Sequence, residues 1–454
     1  MSSVSQLVPP QAANPHRAIL RAAVSVGAAS VIVKLIAVGK EIAVASAYGR
    51  SDAMDAFLVA ALVPTLLVNL VSESMNQALV PSLIRVRELE GPARAQQLLS
   101  SAMFSMCILL GVASAAMALC AHAFFPVIAL HFSPEKLALS IRLFYALLPI
   151  VLITGIATNC TAVLNTLDRF AVPALSPIVI SVSVMAAALF FASRFGIWAM
   201  VYGTLAGSLL HALIVAVMMQ VRGYSFSLRW HGVTDAAREV AGQYGAVLLS
   251  ALVASGGLLV DQSMAATLPA GSVSALVYAG RFVSVVLALL AGAVSTAIIP
   301  YVSRMIAYRD WIGCRETLRT WTMLTACVSI PIAGLLIGFS RPLVRIALQH
   351  GQFGTRDTAV VSAALAMYAI QIPFYVVSRV YFRFIVAMRR TDLILYCGIL
   401  NLALDIVLNL VLMRRFGVAG IALATSLWMV TTLLYLRFWS RTLLARAFAA
   451  EKVR

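Results

Sequence analysis

Apolar residues in this chain run in long unbroken stretches, with polar residues gathered between them and only rarely inside them. Twelve such stretches stand out, near 22–48, 54–84, 97–122, 140–166, 172–193, 198–220, 243–268, 272–303, 315–339, 358–386, 393–413 and 418–438. Each is long enough to cross a bilayer, which takes about 20 mostly apolar residues in a helix. Because the runs are continuous and not alternating, they exclude a membrane β-barrel. The pattern predicts an all-α polytopic membrane protein of about 12 transmembrane helices. Pro64, Pro173, Pro177, Pro331 and Pro373 fall inside the stretches and predict bends there.

Composition agrees. The 454 residues are 62% hydrophobic and 11% charged, with a mean hydropathy of +0.95, whereas soluble domains carry roughly 25% charged residues. The formal net charge of +17 suggests nucleic acid until its distribution is read. Of the 34 Lys and Arg, 20 fall in the termini and even-numbered connections, nine on the opposite side and five within spans. That is the positive-inside bias, and it predicts that both termini are cytoplasmic. The basicity is topological, and no nucleic-acid partner is expected. The six cysteines are scattered with no CxxC pair, so they read as small apolar residues. The first twenty residues lack a hydrophobic segment, which predicts no cleavable signal peptide and a loose cytoplasmic tail over 1–18. A second tail is expected over 441–454.

The two halves repeat. Pro81-Ser-Leu-Ile-Arg85 recurs as Pro300-Tyr-Val-Ser-Arg304, Arg169 as Arg390, and Arg194-Phe195-Gly196 as Arg415-Phe416-Gly417. A repeat of six spans is even, so both copies enter from the same side and are related by a pseudo-two-fold axis along the membrane normal. The expected organisation is a six-helix lobe over 19–220, a cytoplasmic linker over 221–242 and a second six-helix lobe over 243–440. No loop is long enough for a catalytic domain, so an enzyme is not expected.

Charges inside the spans carry the candidate chemistry. Lys34, Lys40, Glu41, Asp261, Arg281, Arg379 and Asp405 all lie in apolar stretches. There an ionisable group costs at least about 2.5–3.5 kcal/mol and usually faces a cavity that handles a solute. Asp55 and Glu73 on the second span could pair with Lys34 and Lys40, and a purely structural ion-pair network is the competing reading. Arg281 has no nearby acid in sequence, and a free guanidinium suits a pyrophosphate. Asn401, Asp405 and Asn409 form an i, i+4, i+8 stripe, and Asp261 is the only acid of the seventh span. Such oxygens suit a small hard cation, while a carboxylate alone would suit a proton. Arg379 and Arg383 are expected to snorkel to the interface, and His211 to hydrogen-bond between helices.

The stretch KLIAVGKEIAVASAYGRSDAMDAFLVAALVPTLLVNLVSESMNQALVPSLIRVR, from Lys34 to Arg87, resembles the opening of the lipid II flippase (MurJ/MviN) family of the multidrug/oligosaccharidyl-lipid/polysaccharide exporter superfamily. GSVSALVYAGR at 271–281, ALQHGQFGTRDT at 347–358 and LNTLDRFAVPALSP at 164–177 agree, and the resemblance is collinear over essentially the whole chain. Departures accompany it. Lys34 and Lys40 stand where the family has arginines, Val68 and Asn69 where it has an arginine pair, and Ser284 where some members have an acid. Twelve spans are read here against the family's usual fourteen. The resemblance implies a bacterial inner-membrane flippase for a polyprenyl-pyrophosphate-linked envelope precursor, acting by alternating access and as a monomer. It implies a substrate site at Lys34, Lys40, Asp55, Glu73 and Arg281. It also implies a sodium site at Asp261, Asn401, Asp405, the Ile421 carbonyl and Thr425, with proton coupling as the alternative and no further cofactor. Its partners would be an anionic lipid-linked precursor and membrane lipid. An O-antigen or exopolysaccharide repeat-unit flippase is the nearest alternative. A cation-coupled drug antiporter is a further one, against which the cationic residues argue.

Reporter fusions after residue 454 and within 221–242 are expected to report cytoplasm. A periplasmic signal from either would overturn the lobe assignment.

Overall fold

The computed structural model describes the backbone of residues 15–167, 171–232, 242 and 255–452. The side chains of 15–30, 72–78, 293–301, 303, 307 and 450–452 are not among those described. Among the described residues all regular structure is helical. The first half contains α1 (Pro15–Tyr48), α2 (Asp52–Glu90), α3 (Pro92–Ile128), α4 (Pro134–Leu147), α5 (Pro149–Thr166), α6 (Ala171–Leu175), α7 (Ile178–Phe195) and α8 (Trp198–Val221). The second contains α9 (255–265), then α10 (Ser272–Ala307), α11 (Trp311–Gly338), α12 (Ser340–Leu348), α13 (Thr355–Ala369), α14 (Gln371–Ala387), α15 (Thr391–Phe416) and α16 (Val418–Lys452).

Ten segments among the described residues are long and apolar enough to cross a membrane. The fourth and tenth expected stretches each divide into a helix pair. Pro149 opens α5, and Pro373 sits in the first turn of α14, where its missing N–H would have no helical partner. Pro64 and Pro331 are accommodated inside unbroken helices. Within the tail expected over 441–454, α16 continues to Lys452, with Leu443 and Leu444 buried. Residues 222–232 of the linker leave the helix and pack back on α3. There Gln96 bonds the Ser225 backbone, and Trp230 lies 6.1 Å from the Phe104 ring. Residues 1–14 and 233–241 of the expected tail and linker lie outside the described residues.

The repeat has a local structural counterpart. Gly196 ends α7 at φ 55° and ψ −138°, and Gly417 ends α15 at φ 54° and ψ −131°. Each glycine N–H donates to the carbonyl four residues back. Positive φ of this kind favours glycine, so the duplicated Arg-Phe-Gly encodes the same turn twice. Leu119, Phe190, Leu213, Ile330, Val411 and Phe438 are each more than half exposed. Water would not tolerate so extensive an apolar coat; hydrocarbon does.

Helices α1–α8 pack chiefly on one another, as do α10–α16, and the main crossings put α1 and α2 against α10 and α1 against α12. Those crossings are tied at one end of the molecule. Ser51 caps α2 by accepting from the Met54 N–H, which sets Asp52 and Asp55 in its first turn. The Asp55 carboxylate accepts from the Gly271 N–H at 2.7 Å and the Ser274 N–H at 2.9 Å, so a side chain of α2 caps the start of α10. The orphan amides of a helix N-terminus favour an anion. Lys136 of α4 neutralises the far side, 3.4 Å from Asp55 and 2.6 Å from Asp52. Arg50 donates to the Gly271 carbonyl and to Asp357, the Tyr278 hydroxyl donates to the Gly49 carbonyl, and the Gln352 N–H donates to the Ser46 carbonyl. Gly271 is at φ 80°, and a Cβ there would lie 2.6 Å from the Arg50 carbonyl oxygen. Only glycine closes this seam.

Asp55→Ala would leave two buried amides unsatisfied, a loss of about 1–3 kcal/mol each. It is expected to lower the thermal midpoint of the purified protein clearly. Asp52, 63% exposed at its side chain, should cost within about 0.5 kcal/mol when replaced by alanine. Equal shifts would show that the cap contributes nothing.

Candidate functional site

Behind the seam lies a cavity of about 470 Å³ where α1, α2, α7, α8, α9, α10 and α13 face one another. Its charged lining is Lys40, Glu41, Asp261 and Arg281, with Asn69, Gln262 and Ser284 among the polar neighbours. Glu41, 7% exposed, bridges two cations. Its Oε1 is 2.8 Å from Lys40 Nζ and 3.1 Å from Arg281 Nε. The first pair lies within α1; the second crosses from α1 to α10. Arg281 is therefore not a free charge. It was legible as a cation inside a span, but its partner lies 240 residues away, beyond any local spacing rule. The Arg281 side chain is 54% exposed and lines the cavity.

The other expected substrate residues distribute differently. Asp55 does not face Lys34 or Lys40; it is 1% exposed and held by the α10 amides and Lys136. Lys34 lies six residues before Lys40, about 9 Å along the helix, outside the cavity lining, and makes no ion pair among the described residues. Glu73 falls among the side chains outside the described residues. Of the two positions where the family carries arginines, Asn69 lines the cavity, whereas Val68 packs against the α2–α3–α5 core.

At the wall of this cavity stands a carboxylate pair. Asn409 Nδ2 donates to Asp261 Oδ1 at 2.8 Å and to Asp405 Oδ1 at 3.2 Å, which brings α9 and α15 together. Thr425 of α16 reaches both Asp261 Oδ2 and the Ile421 carbonyl at 3.2 Å. Among the described residues, Asp405 Oδ2 and Asn409 Oδ1 are buried acceptors with no hydrogen-bond partner. Two buried acids with vacant acceptor oxygens need a positive charge, because an uncompensated buried charge is strongly destabilising. The oxygens of Asp261, Asp405, Thr425 and the Ile421 carbonyl are hard ligands, which fits sodium or a proton, while Asn409 turns its amide nitrogen to both acids. Asn401 does not join it: its Oδ1 accepts from Thr432, and its Nδ2 faces Cys397 Sγ. One helical turn too far from the pair, it yields its place to Asn409 at the far end of the same stripe.

Two further expectations change. Arg379 lines a second cavity, bonded to the Tyr375 hydroxyl at 2.6 Å and packed over the Tyr375 and Phe382 rings. His211 Nε2 is buried without a hydrogen-bond partner among the described residues.

The Glu41 bridge predicts an asymmetry. Removing Arg281 leaves Glu41 paired with Lys40, whereas removing Glu41 strands both cations. Glu41→Ala is expected to lower the thermal midpoint more than Arg281→Ala, by about 1.5–3 kcal/mol, the worth of a hydrogen bond to a charged group. The reverse order would remove Glu41 from its central position.

The family described as "Lipid II flippase MurJ" matches residues 44–450. The chain is 23% identical over 436 residues to the probable lipid II flippase MurJ of Buchnera aphidicola, covering 94% of this chain and 85% of that one. Among solved structures it resembles a lipid II flippase MurJ in an inward closed conformation. The TM-score is 0.80 at 22% identity, over 92% of this chain and 87% of the other. It also resembles an inward-facing MATE-family multidrug resistance transporter, with a TM-score of 0.79 at 11% identity, over 94% of this chain and 99% of the other. With an all-helical fold among its described residues and a family match over residues 44–450, the chain belongs to the lipid II flippase MurJ family.

Proposed function

We propose that this protein moves a polyprenyl-pyrophosphate-linked envelope precursor, lipid II or a related lipid-linked sugar, across the bacterial inner membrane by alternating access between two six-helix lobes. The observation that carries the reading is the Lys40–Glu41–Arg281 bridge, made by two helices from opposite halves across one cavity. In the empty carrier Glu41 occupies the two cations. A pyrophosphate offers more oxygens and more charge than one carboxylate, so it can take Arg281 and Lys40 from Glu41. Charge-assisted hydrogen bonds of this kind are worth about 1.5–3 kcal/mol each. The ligand then replaces the bridge that holds α1 against α10, and the two halves are joined through the substrate.

Orientation follows from charge. Arg85, Arg87, Arg94, Arg222, Arg229, Arg304, Arg309, Arg389 and Arg390 lie at or near the ends of helices remote from the seam. The positive-inside bias makes that end cytoplasmic, with both termini, and the seam periplasmic. The cavity then faces the compartment where the precursor is made. The chain acts as a monomer and performs no bond chemistry on its cargo. Asp261, Asp405 and Asn409, with Thr425 and the Ile421 carbonyl, hold the coupling sodium or proton.

In reconstituted vesicles, Lys40→Ala and Arg281→Ala are expected to cut transport of a polyprenyl-pyrophosphate substrate by roughly tenfold or more, the equivalent of about 1.4 kcal/mol. Lys40→Arg should retain it. Normal transport by both alanine variants would end the cationic-cavity mechanism. Sodium should raise the thermal midpoint more than potassium, since a ligand of the folded state stabilises it, and Asp405→Asn should remove most of the difference. Equal responses would leave the proton as the coupling ion.

A further inference from the structure

The carboxylate pair stands between two cavities. Asp261 lines the central one. Asp405 lines another of about 640 Å³, enclosed by α9, α14, α15 and α16. This second cavity runs from Asp405, past Asn401, Thr432 and Arg379, to Thr391 at the α14–α15 turn, the end of the molecule remote from the seam. Its polar groups form a track. The Thr432 hydroxyl donates to Asn401 Oδ1, one turn of α15 from Asp405. The Trp428 Nε1 donor and the Asp405 Oδ2 acceptor, both buried, have no hydrogen-bond partner within normal length among the described residues. Asn409 spans the partition and joins the two acids.

We propose that the cavity between α14, α15 and α16 is the door through which the coupling ion, sodium or a proton, enters and leaves the Asp261–Asp405 pair, separate from the central cavity used by the lipid-linked anion. The proposal rests on the cation reading above. Its physical logic is separation of charge. A cation arriving through the central cavity would meet a bound pyrophosphate first and be held there. A cation arriving through the second cavity meets Asp405 first, and Asp261 conveys the change of charge to the substrate side. Arg379 lines this route and makes no ion pair among the described residues; its guanidinium is tied to Tyr375. A fixed positive charge in the vestibule disfavours storage of a cation there, so the ion rests at the pair and nowhere earlier.

The test uses the full-length protein with its six native cysteines replaced by alanine and one cysteine restored per variant. Thr432→Cys reports on the second cavity and Ser284→Cys on the central one, with Ser378→Cys as the alternative if the first fails to fold. A small cationic methanethiosulfonate should modify Thr432→Cys, several-fold more slowly in sodium than in potassium if sodium is the ion, or at low pH if a proton is. A bulky adduct at Thr432→Cys should abolish or greatly slow the ion-dependent thermal stabilisation, while the same adduct at Ser284→Cys should leave it intact. Failure of Thr432→Cys and Ser378→Cys to react, while Ser284→Cys does, would show that the second cavity is closed to water and overturn the proposal. Loss of stabilisation only with the Ser284→Cys adduct would place the door in the central cavity and also overturn it. If the parent responds to neither sodium nor pH, the cation reading itself fails and the door with it, an outcome visible before any cysteine is labelled.

Discussion

The cap that Asp55 places on α10 is the contact on which the rest of the arrangement depends. It joins the two halves through a carboxylate and two backbone amides, in a region where water is scarce and an unmet amide is costly. It fixes the start of α10, and two and a half turns further along the same helix Arg281 reaches Glu41. The periphery of the seam and the depth of the cavity are thus two readings of one helix position. Loosening the cap would let α10 move away from α1 and α2, and the cation bridge would open with it.

Three stretches that carry the family resemblance converge on this region. Residues 34–87 supply Lys40, Glu41, Ser46, Gly49, Arg50 and Asp55. Residues 271–281 supply Gly271, Ser274, Tyr278 and Arg281, and 347–358 supply Gln352 and Asp357. Their spacing along the chain shows no relation; their meeting point explains why these segments are distinctive while the rest is ordinary membrane composition.

Much of the fold was legible because hydrocarbon leaves the backbone few options: long apolar runs have to be helices. The duplicated Arg-Phe-Gly was also legible, since a positive-φ turn restricts residue choice. The site was read less completely. Charges inside spans identify themselves by cost, and Lys40, Glu41, Asp261, Arg281 and Asp405 all prove to line a cavity or bridge one. Partnership, however, depends on which helices meet. Asp55 is an acid near cations in sequence, yet Lys136 and the α10 amides claim it. Asn401 and Asn409 each lie one turn from Asp405, on either side of it, and the position of α9 selects Asn409. Lys136 gave no signal, being a lysine in the first turn of a helix far along the chain.

The seam is made mostly of main-chain atoms. The Ser46, Gly49 and Gly271 carbonyls and the Gly271, Ser274 and Gln352 amides all come from the backbone, with side-chain choice restricted only where Gly49 and Gly271 take positive φ. Asp55, Arg50 and Tyr278 are the few side chains that complete it. A closure of this construction makes little demand on sequence identity: most positions around it can drift while the hydrogen bonds persist. A protein can therefore diverge far in its central cavity, exchanging arginine for lysine or losing charge at Asn69, and still keep the same closure.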